Sequence, residues 1–238
     1  NALQDPLKRI TDGILMTNLY GVRFWNDNRY NLQTGKFETY KYIYQSIRDF
    51  LGRNRSSNGA NEFLINGYYR IATDSNALFY PNYDFQISKA ITFLDKYNFD
   101  LEDERDKEPG DKTAVFIVNS DNLADVLRLL RKHLMTEADT QRGITFLNAD
   151  DDYDRLRGVL AVLYQFLAGL EGDFADKMKE KGAYKDNYVP LMTFIRETII
   201  KRPFFVTEWI SHDVSNLRGK AQSIGTKMGE LANRLSDG

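Results

Sequence analysis

The strongest constraint on the fold is a run of apolar residues near the carboxyl end that recurs every three or four positions. The spacings are 4, 3, 4, 3, 4, 3 and 4, along Ile210, Val214, Leu217, Ala221, Ile224, Met228, Leu231 and Leu235. This alternation is typical of the a/d seam along which one helix packs lengthwise on another. The pattern therefore predicts a long C-terminal helix with one apolar stripe.

Two kinds of surface can cover such a stripe. It can dock on the chain's own helices, or it can contact another subunit or a partner protein. Gly225 and Gly229 lie beside the seam and would permit close helix approach. The residues that we expect at a partner contact are Leu217, Ile224, Met228 and Leu231.

The preceding segments of the C-terminal half also have helical patterns. Acidic residues at 150–154 suit the positive end of a helix that we expect to reach about Leu170. Pro190 fits the first turn of another helix, which runs to Ile200. Residues 136–238 are therefore predicted to form a helical subdomain.

The N-terminal half is rich in β-branched and aromatic residues, which favour strands. Turn-forming residues at 26–28 and 33–36 predict a β-hairpin from about Leu19 to Tyr44. A strand pair, or one strand bulged at Gly67, is expected over 62–73. These segments predict an antiparallel, aromatic-rich sheet.

Thr113–Val118 is the clearest strand, because it is apolar, β-branched and bounded by turn residues. Ser120 or Asp121 is expected to cap the helix that follows. That helix has an apolar stripe of Leu123, Val126, Leu127, Leu130 and Leu134. The predicted fold class is thus α+β, with the sheet and one or two helices in residues 1–135 and the helical subdomain in 136–238.

Aromatic and basic residues are interleaved between Tyr20 and Arg70, with twelve aromatic residues and eight Lys or Arg against four Asp or Glu. Single-stranded nucleic acids are bound by rings that stack on bases and cations that follow the phosphates. On a strand, however, Tyr40 and its aromatic neighbours would share the side opposite Lys41, so the alternative is that the aromatic side is core. The candidate nucleic-acid contacts are Arg23, Arg29, Tyr40, Lys41, Tyr42, Arg53, Arg55 and Arg70.

The order of several antiparallel strands, one further strand and an amphipathic helix (Thr113 to Leu134) resembles the plan of small single-strand binders of the PUR and whirly type. The resemblance is architectural, covers at most half of the chain and includes no residue motif. It implies single-stranded nucleic acid as a ligand of the N-terminal half.

Residues with common catalytic or metal-binding patterns are missing from the sequence. Cysteine is absent and there are two histidines, His133 and His212, so a zinc site is not expected. Residues 150–154 mimic the start of a calcium loop, but Arg155 stands in place of its glycine and Ala161 in place of its last glutamate. We therefore predict no enzyme activity, no metal and no cofactor. A pair of carboxylates that meets only in the folded chain stays open.

The function that these patterns favour is a non-enzymatic assembly or structural subunit of a larger complex. Its C-terminal helix would contact a second copy or another protein, without a membrane. The alternative is a single-stranded DNA- or RNA-binding protein, which the net charge of −2 disfavours because such binders are usually basic. The lack of cysteine fits a reducing compartment, so we expect a cytoplasmic or otherwise intracellular setting, including a virus particle.

Overall fold

A computed structural model of the chain describes residues 27–54, 59–72, 83–102, 114–139, 149–201 and 212–237. Its α-helices are α1 (Asp27–Ser46), α2 (Glu62–Ala72), α3 (Tyr83–Glu102), α4 (Ser120–Asp139), α5 (Ala149–Glu180), α6 (Val189–Ile200) and α7 (Asp213–Ser236). A π-helical segment continues α1 over Ile47–Leu51, and another, Tyr184–Tyr188, precedes α6.

The predicted α+β fold is wrong, because the described part of the chain is mainly helical. Its β-structure is limited to an antiparallel ribbon of β1 (Gly52–Asn54) and β2 (Ala114–Phe116), with Gly52 opposite Phe116. Two strands of three residues do not make the predicted aromatic-rich sheet. The resemblance to sheet-based single-strand binders therefore has no counterpart among the described residues.

The region predicted as a hairpin forms α1 from Asp27 onward, while residues 19–26 lie outside the described residues. Gly35, part of a predicted turn, lies within α1 against α5, where a Cβ would be 2.0 Å from the carbonyl oxygen of Arg155. Gly158 of α5 is placed likewise, since its Cβ would be 2.2 Å from the carbonyl oxygen of Leu32. Each glycine thus faces the backbone of the other helix, and the two helices approach more closely than larger residues would allow.

The aromatic residues of α1 belong to an apolar stripe with a helical period, which begins inside the predicted hairpin and continues into the π-helical segment. Phe37, Tyr40, Tyr44, Ile47 and Leu51 recur every three or four positions, and all are buried. A strand would expose every second residue to the opposite face, whereas this spacing places all five on one side of a helix. The aromatic stripe is consequently core.

The predicted strand at 62–73 is α2, which buries Leu64, Gly67 and Ile71 on one side. Gly67, interpreted from the sequence as a bulge, lies against Tyr44 of α1, and a Cβ there would be 1.8 Å from the Tyr44 hydroxyl oxygen. The glycine therefore makes room for a tyrosine at the contact between α1 and α2.

The segment from Ala114 to Asp139 agrees with its predicted pattern in part. β2 lies inside the predicted strand, and the apolar stripe predicted for the next helix is buried in α4. The cap differs from the prediction, because the side-chain oxygen of Asn119 accepts a hydrogen bond from the Asp121 amide at 2.9 Å. Asn119, one residue earlier than expected, thus caps α4.

The central element of the described core is α5, which packs against α1, α4, α6 and α7. It continues through Gly172 to Glu180, well beyond the predicted end near Leu170. All residues predicted for its buried side are buried, namely Leu156, Val159, Leu160, Leu163, Phe166 and Leu167. Pro190 occupies the first turn of α6, as its position in the sequence indicates.

Helices from both sides of the predicted domain boundary share one core. α4 runs through residue 135, and it packs along α7, while α1 packs along α5. The buried apolar side chains of these helices belong to a single cluster. The division into 1–135 and 136–238 stays a prediction.

By length and composition α5 is one helix that could cross a membrane. Half of its most apolar 18-residue window is buried inside the chain. Burial of this kind is typical of the central helix of a bundle.

We expect Gly158→Ala to lower the free energy of unfolding by about 1–3 kcal/mol, because the added methyl group overpacks the contact between α1 and α5. Gly172→Ala is the matched control on the same helix, since nothing lies within 4 Å of its Cβ position. There the change should stabilise the protein by about 0.5–1 kcal/mol, the usual gain of alanine over glycine in a helix. Urea unfolding followed by circular dichroism checks both values, and equal gains would contradict the close contact.

Candidate functional site

The tyrosines predicted to stack on bases lie inside the helical bundle. Tyr40 is 3% exposed, and its hydroxyl donates to Gln165 at 3.4 Å. Tyr42 stacks on the His133 ring, with 4.1 Å between the ring centroids. The neighbouring Lys41 pairs with Glu38 at 3.1 Å. Of the residues chosen as nucleic-acid contacts, these three are thus engaged within α1 and its neighbours.

The predicted arginines are placed in different parts of the chain. Arg23 and Arg55 lie outside the described residues. Arg29 belongs to α1 and Arg53 to β1. Arg70 is exposed near the end of α2. Arg70, the one of these arginines whose side chain the structure describes, lies on α2, whereas the predicted tyrosines lie on α1.

A different aromatic and basic surface lies on α2 and the π-helical end of α1. The Arg48 guanidinium lies 3.9 Å from the centroid of the Tyr68 ring. The next ring, Tyr69, is 6.3 Å from Tyr68 and is 62% exposed. We name these three residues, together with the exposed Arg70, the α2 surface.

Arg48 is held in place from two sides. Its Nε donates to the Asp49 carboxylate at 2.6 Å, and this bond raises the pKa of Arg48. The Arg48 guanidinium also lies over the face of the Tyr68 ring, which is the geometry of a cation–π pair. The group thus presents a charged, ordered edge next to Tyr69.

The sequence contained a signal for the α2 surface that the strand interpretation obscured. Leu64, Gly67 and Ile71 are spaced three and four apart, which marks the buried side of a helix. On such a helix Tyr69 and Arg70 point away from the core. With strand spacing, by contrast, Tyr69 and Ile71 share one side.

The seam of the last helix is covered by the chain's own α4. The residues predicted for a partner contact are all at most 4% exposed, namely Leu217, Ile224, Met228 and Leu231. Gly225 and Gly229 permit the close approach, because a Cβ at these positions would lie 2.6 Å from Met135 Sδ and 3.2 Å from Arg131. Of the two alternatives for the stripe, docking on the chain's own helices is the one that the structure contains.

We expect Ile224→Asp to abolish cooperative folding, because it places a carboxylate in a fully buried apolar contact at a cost above about 4 kcal/mol. Ser223→Asp, on the exposed neighbouring position, should leave the unfolding midpoint almost unchanged. Circular dichroism melting distinguishes them. A folded Ile224→Asp protein with an altered mass in light scattering would instead assign the seam to a subunit contact.

His133 is the buried titratable group at the contact between α1 and α4. Its Nε2 lies 3.1 Å from the Thr39 hydroxyl, which donates its own proton to the Gly35 carbonyl at 2.8 Å. With the Thr39 proton on the Gly35 carbonyl, the matching tautomer of His133 carries its proton on Nε2 and donates it to Thr39. Burial lowers the pKa of His133 to about 4, and nearby Arg155 acts in the same direction against the opposing effect of Glu137. The neutral ring serves packing.

This depressed pKa links folding to pH. In the unfolded chain the His133 ring binds a proton near pH 6.5, whereas in the folded chain the ring stays neutral down to about pH 4. The contribution of the neutral His133 ring to the free energy of unfolding is thus complete above pH 6.5. It is lost as the pH falls from 6.5 to about 4.

The free energy of unfolding of the wild type should fall by up to about 3 kcal/mol more than that of His133→Gln as the pH is lowered from 6.5 to about 4. Urea titrations at several pH values measure the difference. The exposed His212→Gln variant is the control, and curves for His133→Gln that run parallel to wild type would contradict the assignment.

Ion pairs between side chains also link helices of the bundle to one another. Arg155 of α5 makes two hydrogen bonds with Glu137 of α4, at 2.8 and 3.0 Å. Arg218 of α7 pairs with Asp152 of α5 at 3.1 Å. Among the described residues no group of three or more His, Asp or Glu side chains is placed to hold a metal ion. These carboxylates act as structural partners of arginine.

In comparisons with known proteins, no family model, curated protein or solved structure matches this chain. The surfaces of the molecule itself are therefore the basis for proposing its function.

Proposed function

We propose that this protein is a non-enzymatic subunit of a larger assembly and that it contacts its neighbour through the α2 surface. The observation that carries the proposal is the 62% exposure of Tyr69 beside the Arg48–Tyr68 stack. Tyrosine and arginine are the residues that most often dominate the binding energy of protein interfaces. An intracellular setting, suggested by the absence of cysteine, is part of the proposal.

The surroundings of Tyr69 support an interface more than a chance exposure. Single exposed apolar residues are normal on protein surfaces. Here, however, Tyr69 follows a second tyrosine whose ring already carries an arginine, so three large side chains lie side by side. Ordering Arg48 before binding lowers the entropy that association costs.

The charges favour a protein neighbour, in particular a second copy of the chain. Arg48 is paired with Asp49, and the exposed Glu62 lies on the same helix as Arg70. The surface is therefore not strongly basic, and the chain as a whole has a net charge of −2. Such a chain offers carboxylates to the two guanidinium groups of a neighbouring copy, whereas a polyanion would be repelled by the total charge.

Light scattering after size-exclusion chromatography tests the proposal across a concentration series. We expect a species larger than the 27.6 kDa monomer, and we expect the double variant Tyr69→Ala/Arg70→Ala to shift it towards monomer by at least about tenfold in dissociation constant. Phe99→Ala is the matched control, because this aromatic residue is 67% exposed on α3 outside the α2 surface. A wild-type protein that is monomeric at every concentration would overturn the proposal.

Single-stranded nucleic acid is the second candidate, and one observation favours it. The Arg48–Tyr68 stack and the 62% exposed Tyr69 combine a cation with an exposed aromatic side chain, the combination that binds unpaired bases. Two further basic residues, Arg53 and Arg55, follow Arg48 closely in the sequence.

Fluorescence anisotropy with labelled single-stranded DNA and RNA at about 50 and 200 mM salt tests this candidate. Binding that weakens with salt and with Tyr69→Ala/Arg70→Ala, but not with Phe99→Ala, would assign the α2 surface to nucleic acid. Absence of binding at the lower salt concentration would exclude it.

A further inference from the structure

A cleft of about 440 Å³ opens between the end of α6 and the first turns of α7, with one residue of α5 at its side. This volume is within the range of sites for small molecules. The described residues that line it are Tyr153, Thr198, Lys201, Asp213, Asn216, Leu217 and Lys220. The cleft is separate from the α2 surface, since the two have no element in common.

Among the described residues that line the cleft, two lysines are opposed by one carboxylate, that of Asp213. Among the described residues neither Lys201 nor Lys220 forms an ion pair, whereas nearby Arg218 is paired with Asp152. The first turn of the 24-residue helix α7 also lies here and adds the positive end of its dipole. These contributions all favour a negatively charged guest.

Hydroxyl groups give the cleft a polar wall. The Tyr153 hydroxyl donates to the Lys201 carbonyl at 3.0 Å, and the Thr198 hydroxyl donates to the Phe194 carbonyl at 2.8 Å. The Thr198 oxygen keeps its acceptor capacity after donating. A guest with its own hydroxyl or amine groups beside the anionic group would therefore find partners, while Leu217 supplies an apolar contact.

From this lining we infer that the cleft binds a small molecule with a phosphate or carboxylate group, held by Lys201 and Lys220. The inference adds a ligand site to the proposed assembly function and does not depend on it. A protein that fails to oligomerise can still bind the ligand, and one that oligomerises can lack it.

Amide chemical shifts in nuclear magnetic resonance spectra test the inference, with inorganic phosphate and succinate as probes at constant ionic strength. We expect saturable shifts of the Thr198, Asn216 and Leu217 amides. The double variant Lys201→Ala/Lys220→Ala should weaken binding by about tenfold or more, since two charge-assisted contacts are lost. Lys132→Ala/Lys185→Ala, which removes two exposed lysines elsewhere, is the matched control and should bind as wild type does.

Saturation by phosphate alone assigns a phosphate-bearing ligand, and saturation by succinate alone assigns a carboxylate. Saturation by both supports a general anion site. The inference would be overturned if neither probe caused shifts or if the shifts never saturated. It would also be overturned if the shifts were unchanged in Lys201→Ala/Lys220→Ala. Circular dichroism of each variant verifies that it is folded, so loss of binding is not loss of structure.

Discussion

The close approach of α1 and α5 is the constraint on which the rest of the described structure depends. Gly35 and Gly158 face the backbone of the opposite helix, so neither position has space for a Cβ. Arg155, whose carbonyl oxygen meets Gly35, uses its side chain to bind Glu137 of α4. One short stretch of α5 therefore sets the distance to α1 and the position of α4 together, and α4 in turn covers the seam of α7.

Polar residues of the described core also connect its helices. His133, Glu137 and Asp152 are all engaged between helices, with a ring, an arginine or a hydroxyl as partner. Such groups fix the geometry of the bundle and leave binding to its outer surfaces. Within the described part of the chain, two surfaces have a distinctive chemistry: the α2 surface, with aromatic rings and guanidinium groups, and the lysine-lined cleft beside α7.

The helical half of the fold could be predicted from the sequence, because apolar residues spaced three and four apart have one simple explanation. The first half could not, since glycine and aromatic residues there have two meanings. Gly35 and Gly67 are turn or bulge residues in a strand, but in this protein they admit a backbone and a tyrosine between helices. Whether a glycine ends an element or allows a contact depends on what lies opposite, and local sequence does not contain that information.

The candidate site shows the same limit. Tyr40 and Tyr42 have the composition of a stacking surface, yet the turn of α1 directs one to the core and the other onto His133. Tyr69 has the same composition and is exposed, because Leu64 and Ile71 occupy the inner side of α2. The residue types indicated that aromatic stacking was available. The position of each tyrosine around its helix determined which of them is exposed to a partner.

The pairing of α1 with α5 has a consequence for synthesis on the ribosome. Asn31 and Asp151, which are hydrogen-bonded, are separated by 120 positions in the chain. At ordinary elongation rates α1 waits on the order of ten seconds for its partner. During that interval its row of aromatic side chains is without its main cover, so the nascent N-terminal half is a natural client for chaperones that hold apolar segments apart.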